Sequence, residues 1–240
     1  MKTDKIFYTL FQVFPELLFQ LIGESPELAE NYCFRSLEVK ELAFRIDGVY
    51  LPDETLPESP LYFVEVQFQK DAEFYWRFIT ETFIYLGQYK PLAPCYLVVL
   101  WGSRNLDEGI PLTYQHLLAD GSVNQIYLDQ LSPETPQTLG IRILKFIVAS
   151  ESEATQQVPR LMNQAKQEIK EPVNQQKVVE LLEKIIVYKF PQKSRQELET
   201  MFNLTEWKQT KFYQEAKSEG KTEGKIEGKI EGKIEGKIEG

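Results

Sequence analysis

The segments Arg45-Ile46-Asp47-Gly48-Val49-Tyr50 and Leu61-Tyr62-Phe63-Val64-Glu65-Val66-Gln67-Phe68-Gln69 read as two neighbouring strands. Both are rich in β-branched and aromatic residues, and the Pro-rich gap 52–60 between them supplies turn formers. Side chains alternate along a strand, so Glu65, Gln67 and Gln69 share one face while Val64, Val66 and Phe68 take the other. A carboxylate in so apolar a strand is costly to bury unless something pairs with it. Asp47 on the adjacent strand is itself an anion and repels it. Two arrangements resolve the conflict. One is a satisfied polar pair at the rim of a sheet; the other is a divalent cation held between the two carboxylates.

The flanking sequence supplies the remaining elements. Apolar residues from Ile6 to Ile22 recur with a 3.6-residue period behind Thr3 or Asp4 as a cap, which predicts a helix interrupted or restarted at Pro15. Residues 34–37 and 43–51 are predicted strands, and 61–69 is a third. Asp71 caps a helix that runs to about Tyr89 and ends before Pro91 and Pro94. Tyr96–Trp101 is almost wholly apolar and reads as a central strand covered on both sides. A shorter strand follows over 123–128. The order helix, three strands, helix, strand, strand predicts an α/β fold with a mixed central sheet flanked by helices.

Beyond residue 150 the character changes. Residues 150–174 are polar with few apolar anchors and read as a connector. Val178, Val179, Leu181, Leu182, Ile185, Ile186 and Tyr188 predict an amphipathic helix ending near 189–191. Ser194 and Glu197 fit a capping box for a further helix over 195–202, which 205–217 would continue. The chain ends in a Lys-x-Glu-Gly repeat of period four. Its i,i+4 neighbours carry like charge and its glycines weaken a helix, so it is either a solvated tail or a seam for self-association through Ile226, Ile230, Ile234 and Ile238. The expected organisation is a core at 1–150, a helical extension at 151–217 and a repeat tail at 218–240.

Composition excludes several classes. No stretch approaches the roughly 20 apolar residues of a membrane span, and the apolar positions near the start are interrupted by Gln12, Glu16 and Gln20, unlike a signal peptide. His116 is the single histidine, so neither a His-dependent triad nor a His-rich zinc site can be assembled. Cys33 and Cys95 lack metal spacing and read as reduced core thiols of a cytoplasmic protein.

The strand pair resembles the core of the PD-(D/E)XK nuclease superfamily, with Asp47 on one strand and Glu65-Val66-Gln67 on the next. Within it the chain is similar to the recombination-promoting nuclease and transposase-like family of bacteria, in the variant common in cyanobacteria. The likeness extends to Thr3-Asp-Lys-Ile-Phe-Tyr-Thr-Leu-Phe11, Phe14-Pro-Glu-Leu17, Phe74-Tyr-Trp-Arg77, Val187-Tyr-Lys-Phe-Pro191 and the terminal Glu-Gly-Lys repeats. The resemblance implies a restriction-endonuclease-like core and hydrolysis of DNA phosphodiesters, in the context of recombination or mobile elements. It implies that Asp47, Glu65 and the Val66 backbone carbonyl hold Mg²⁺ or Mn²⁺, with Gln67 where the superfamily usually has Lys. Gln orients a water but adds no charge. Lys70 lies on the opposite parity and substitutes for it only if the strand bulges.

Two further residues match the family pattern. Arg77 is either a member of an exposed ion-pair ladder with Glu73 and Glu81 or a phosphate contact. Asp4 is either a helix cap or an auxiliary acid. Tyr75 and Trp76 read as core rather than as stacking platforms for bases.

Charge opposes the simplest form of this expectation. Residues 1–150 hold 11 Lys and Arg against 20 Asp and Glu, so this part carries the whole net charge of −9. DNA-binding surfaces are normally basic. The alternative is a catalytically weak pseudo-nuclease that binds DNA or protein, or assembles into homo-oligomers through its C-terminal helices and tail.

Overall fold

A computed structural model describes residues 3–39 and 44–202. The repeat tail, and the helical continuation expected over 205–217, lie outside the described residues.

Five strands form one sheet in the order β1-β2-β3-β4-β5. They are β1 (Tyr32–Val39), β2 (Phe44–Pro52), β3 (Leu61–Gln67), β4 (Cys95–Trp101) and β5 (Val123–Tyr127). The first three pair antiparallel, whereas β3–β4 and β4–β5 are parallel. A parallel neighbour needs a crossover. After β3 it is α3 (Phe74–Tyr89), and after β4 it includes the short α4 (Gln115–Ala119). Both pack on one face, where Val49, Phe63, Val99 and Trp101 meet Phe74, Phe78 and Tyr85.

The opposite face carries the larger layer. It contains α1 (Thr3–Val13), α2 (Glu16–Ile22), α5 (Leu139–Val148), α6 (Glu151–Glu168), α7 (Pro172–Lys189) and α8 (Arg195–Phe202). The fold is therefore α/β, a mixed sheet with helices on both faces, as the element order implies.

The local chemistry explains most boundaries. Pro15 separates α1 from α2, and the two axes meet at 97°. Gly23 ends α2 in the left-handed conformation at φ 79°, its N–H bonded to the Phe19 carbonyl. The helix α3 starts behind Asp71, whose carboxylate accepts the Glu73 N–H and whose carbonyl accepts the Phe74 N–H. The Ser194–Glu197 capping box forms as expected at the head of α8.

Four expectations are corrected. Residues 150–174 are not a connector. They form α6, opened by a Ser150–Glu153 capping box, and Ala154, Val158, Leu161, Met162 and Ala165 make a buried stripe along it. Two of those five anchors are alanines, which give little apolar signal in a polar segment. Cys33 is exposed on β1 rather than core, because β1 is an edge strand and this side chain faces outward beside Arg35. Trp76 is 40% exposed and meets Tyr114 edge-on, since it falls on the outer side of α3. Tyr188 points outward at the end of α7. The helix α5 has no counterpart in the expected elements. It is short, and only Arg142 and Lys145 mark its outer side within an otherwise apolar run.

One apolar cluster joins Ile6, Phe7 and Leu10 of α1 to Leu181, Ile185 and Ile186 of α7 and to Leu198 of α8. Among the described residues no single helix is long and apolar enough to cross a membrane.

Candidate active site

The site begins with an irregularity in β2. Arg35 of β1 faces Val49, but Leu37 faces Ile46. Asp47 and Gly48 therefore stand together opposite Ser36, which is a β-bulge. Gly48 is required there by close approach, because a Cβ would lie 2.1 Å from the Phe34 ring.

On the other side of β2, pairing with β3 covers Gly48↔Val64, Val49↔Phe63 and Tyr50↔Tyr62. The next step of this antiparallel register sets Asp47 against Glu65. Here side chains replace the backbone ladder. The Asp47 N–H donates to Glu65 Oε2 at 3.0 Å, and the Val66 N–H donates to Asp47 Oδ2 at 3.3 Å. Each carboxylate thus satisfies an amide on or beside the other's strand.

Glu65 lies on the α3 face, two residues from Phe63 and aligned with Val99 of β4. Burial pushes its carboxyl well above the usual carboxylate range, and the Asp47 charge pushes in the same direction. The Asp47 amide and the Arg77 guanidinium partly oppose this shift.

A third carboxylate belongs to this cluster. Glu81 of α3 is only 3% exposed. Burial raises its pKa; Arg77 lowers it and Asp47 raises it again. The sequence places Glu81 only as an i+4 partner of Arg77. A signal was nevertheless present, since Phe74, Phe78, Glu81 and Tyr85 follow the buried spacing of α3. A carboxylate within an apolar stripe marks a special environment.

The other expected residues are placed as follows. Gln67 is half-buried on the same side of β3 as Glu65, aligned with Trp101, and its carbonyl accepts the Gly102 N–H. Arg77 is not in a ladder with Glu73. It pairs with Asp71 at 2.8 Å and lies over the Phe74 ring, while its charge acts on Glu65 and Glu81. Lys70 is exposed beyond the end of β3. Asp4 lies in the first turn of α1, on the opposite layer of the fold, and its side chain is outside the described ones.

The donors suit a hard divalent ion. Mg²⁺ binds through one or two carboxylates and keeps several waters. Asp47 and Glu65 offer oxygens of that kind, and cation charge would offset both the burial and the Asp47 repulsion that disfavour an ionised Glu65. Among the described residues no group of three His, Cys, Asp or Glu side chains is arranged around one metal position. The fit is therefore to a two-carboxylate site completed by a backbone carbonyl and water.

The family model described as "Protein of unknown function (DUF2887)" matches residues 3–202. The chain belongs to the DUF2887 family. No curated protein and no solved structure matches it. The DUF2887 match takes in all five strands, both helical layers and every candidate residue from Asp4 to Glu81.

This DUF2887 chain holds a second polar cluster that the sequence does not announce. Asp107 accepts hydrogen bonds from Tyr127 Oη at 2.6 Å, Gly109 N at 2.8 Å, Gln125 Nε2 at 2.9 Å and Tyr75 Oη at 3.2 Å. The Trp101 indole N–H donates to Tyr75. Burial raises both tyrosine pKa values, that of Tyr127 to about 12, so both remain neutral donors. The strand register aligns Glu65, Val99 and Gln125 across β3, β4 and β5. Two strand spacings put this network about 10 Å from Glu65. Its four donors satisfy the Asp107 carboxylate, and it ties the 104–109 loop and the start of α3 to the strand ends.

Proposed function

We propose that this DUF2887 protein is a divalent-metal-dependent DNA endonuclease of the PD-(D/E)XK type, of the recombination-promoting kind that its motifs resemble. The observation that carries the reading is the Asp47–Glu65 pair: two carboxylates on adjacent strands, set opposite each other by the β2–β3 register beside a bulge and interlocked through each other's backbone. A sheet gains nothing in stability from two half-buried acids at one register position. A phosphodiesterase gains a metal seat.

Asp47, Glu65 and the Val66 carbonyl would hold Mg²⁺ or Mn²⁺. When bound, the ion supplies charge neutralisation at the scissile phosphate and a water acidic enough to attack it. The remaining roles fall to the protein. Gln67 orients the attacking water through its amide. Arg77 uses guanidinium N–H groups not engaged by Asp71 to hold a phosphate oxygen. Glu81, whose pKa is raised by burial, holds a proton more readily than an exposed carboxyl and accepts a hydrogen bond from water when ionised. DNA is the partner, and the cytoplasm is the compartment that fits the unpaired cysteines.

The test is nicking of supercoiled plasmid in Mn²⁺ or Mg²⁺. The wild-type chain is expected to cleave. Asp47→Ala and Glu65→Gln are expected to lose at least about 100-fold in rate, since each removes a ligand that acts in the transition state. Cleavage unchanged in Asp47→Ala would overturn the assignment.

A non-enzymatic reading draws on a specific observation, the uncharged Gln67 in an acidic chain. Under it, wild type binds DNA or a second copy of itself without cutting, and Gln67→Lys does not create cleavage. Under the nuclease reading, Gln67→Lys raises the rate at saturating Mn²⁺.

A further inference from the structure

A cationic cleft of this acidic chain lies away from the carboxylates, between α5 and α6 on the opposite face of the sheet. A cleft of about 260 Å³ opens there. Arg142 and Lys145, one helical turn apart on α5, line one wall, and Arg160 of α6 lines the other. Leu161 contributes an apolar surface. No Asp or Glu lines it.

Its cations are held by neutral amides. Arg142 Nε donates to the Gln137 carbonyl at 3.0 Å, and Arg142 Nη1 donates to Gln164 Oε1 at 3.0 Å. Lys145 Nζ donates to Gln137 Oε1 at 3.5 Å. Glu168 is one step removed, accepting the Gln164 amide N–H at 2.6 Å, which turns that residue's oxygen towards Arg142. Arg160 has neither an ion pair nor a hydrogen bond among the described residues. Three cationic side chains therefore line one cleft, Arg142 and Lys145 held by amides and Arg160 unengaged, with no carboxylate in its lining.

We infer that the α5–α6 cleft is a binding site for a phosphoryl group, with Arg142 and Arg160 as its recognition forks. Guanidinium groups match the oxygens of a tetrahedral phosphoryl anion in pairs, and Arg142 retains N–H donors after its two amide contacts. Lys145 adds a point charge. The volume accommodates a phosphate with its waters or one nucleotide-sized monoester. The cleft stands on residues outside the carboxylate cluster, so it does not depend on the nuclease assignment.

The experiment uses the full-length chain in EDTA, so that phosphate cannot bridge a metal at Asp47 and Glu65. Inorganic phosphate is titrated calorimetrically at constant ionic strength, with chloride as control. A fluorescent DNA oligonucleotide is then competed against it. Phosphate is expected to bind the wild type and raise its melting temperature. Arg160→Gln is expected to weaken binding about tenfold, equivalent to about 1.4 kcal/mol, while melting like wild type without ligand. Arg142→Gln should weaken binding as well, and Arg160→Lys should restore part of the loss. If the oligonucleotide displaces phosphate through the same arginines, the ligand is the phosphodiester backbone. If phosphate binds and the oligonucleotide does not compete, it is a free phosphoryl compound. Absence of binding by both probes, or equal binding by wild type and both glutamine variants, would overturn the site.

Discussion

Glu65 holds its proton more tightly in the fold than in the unfolded chain, because burial first and the Asp47 charge second disfavour its ionised form. Its folded pKa is raised and its unfolded value is ordinary, so the folded state binds more protons between the two. The sign follows directly: without metal, stability from this group is gained as pH falls through the folded pKa and lost as pH rises. Calorimetric melting in EDTA should therefore show the wild type losing ground to Glu65→Gln between pH 5.5 and pH 7.5. The glutamine keeps an oxygen for the Asp47 N–H and has no charge to desolvate. Saturating Mn²⁺ should reverse the order at pH 7.5, because only the carboxylate gains from the ion. A Glu65→Gln chain that melts below wild type in EDTA at pH 7.5 would refute this account. Asp47 and Glu65 were legible because strand alternation is local and a carboxylate stands out against Val and Phe. Glu81 was less legible, since its i+4 spacing from Arg77 offered a sufficient surface explanation. Cys33 and Trp76 were misread because residue type predicts burial poorly where an edge strand or the outer side of a helix decides it.

The helices α6 and α7 differ in how openly the sequence declares them, yet both are buried along one side. The stripe Val178, Leu181, Leu182, Ile185 and Ile186 is large and branched, so its period is plain. That of α6 depends on Ala154 and Ala165, and on a Pro159 that reads as a breaker. At α5 only Arg142 and Lys145, one turn apart, give polar contrast in a short apolar run. The packing makes a quantitative claim for α7. Leu182 is 1% exposed within the large cluster, and truncating such a residue costs about 2–5 kcal/mol. Leu182→Ala should lower the urea midpoint accordingly without changing the slope, whereas a change at exposed Lys177 should leave it near wild type. Equal midpoints for Leu182→Ala and wild type would show that α7 is not packed as described. The strands were assigned more accurately than the helices, because aromatic and β-branched residues cluster between clear turn formers.

The two ends of the described chain meet, since α1 and α7 share an apolar cluster across more than 150 residues of sequence. A chain ending at residue 150 would leave Ile6, Leu10 and Phe146 without the α7 side chains that cover them. It should bind hydrophobic dyes and unfold without a cooperative transition. A chain ending at residue 202 should melt cooperatively near the full-length temperature. If the 1–150 chain melts cooperatively at that temperature, the core is autonomous and the later helices are appended. Composition could not settle this, because burial of a distant helix is a property of the assembled layers, whereas charge and length are properties of the chain.

The bulge at Asp47–Gly48 also sets a direction of approach. Beyond it β2 remains paired to β1 through Ile46, Arg45 and Phe44, while β3 continues to Gln67 beside β4. The sheet is thus forked, with one prong made of two strands and the other of three. The two carboxylates sit at the crotch, and the prongs reach two or three residues past it, about 7–10 Å of strand. A ligand would enter edgewise, in the plane of the sheet, rather than by lifting the helix above it. The site needs no lid, and its gauge is the gap between two prongs whose roots are fastened together by Asp47 and Glu65 themselves.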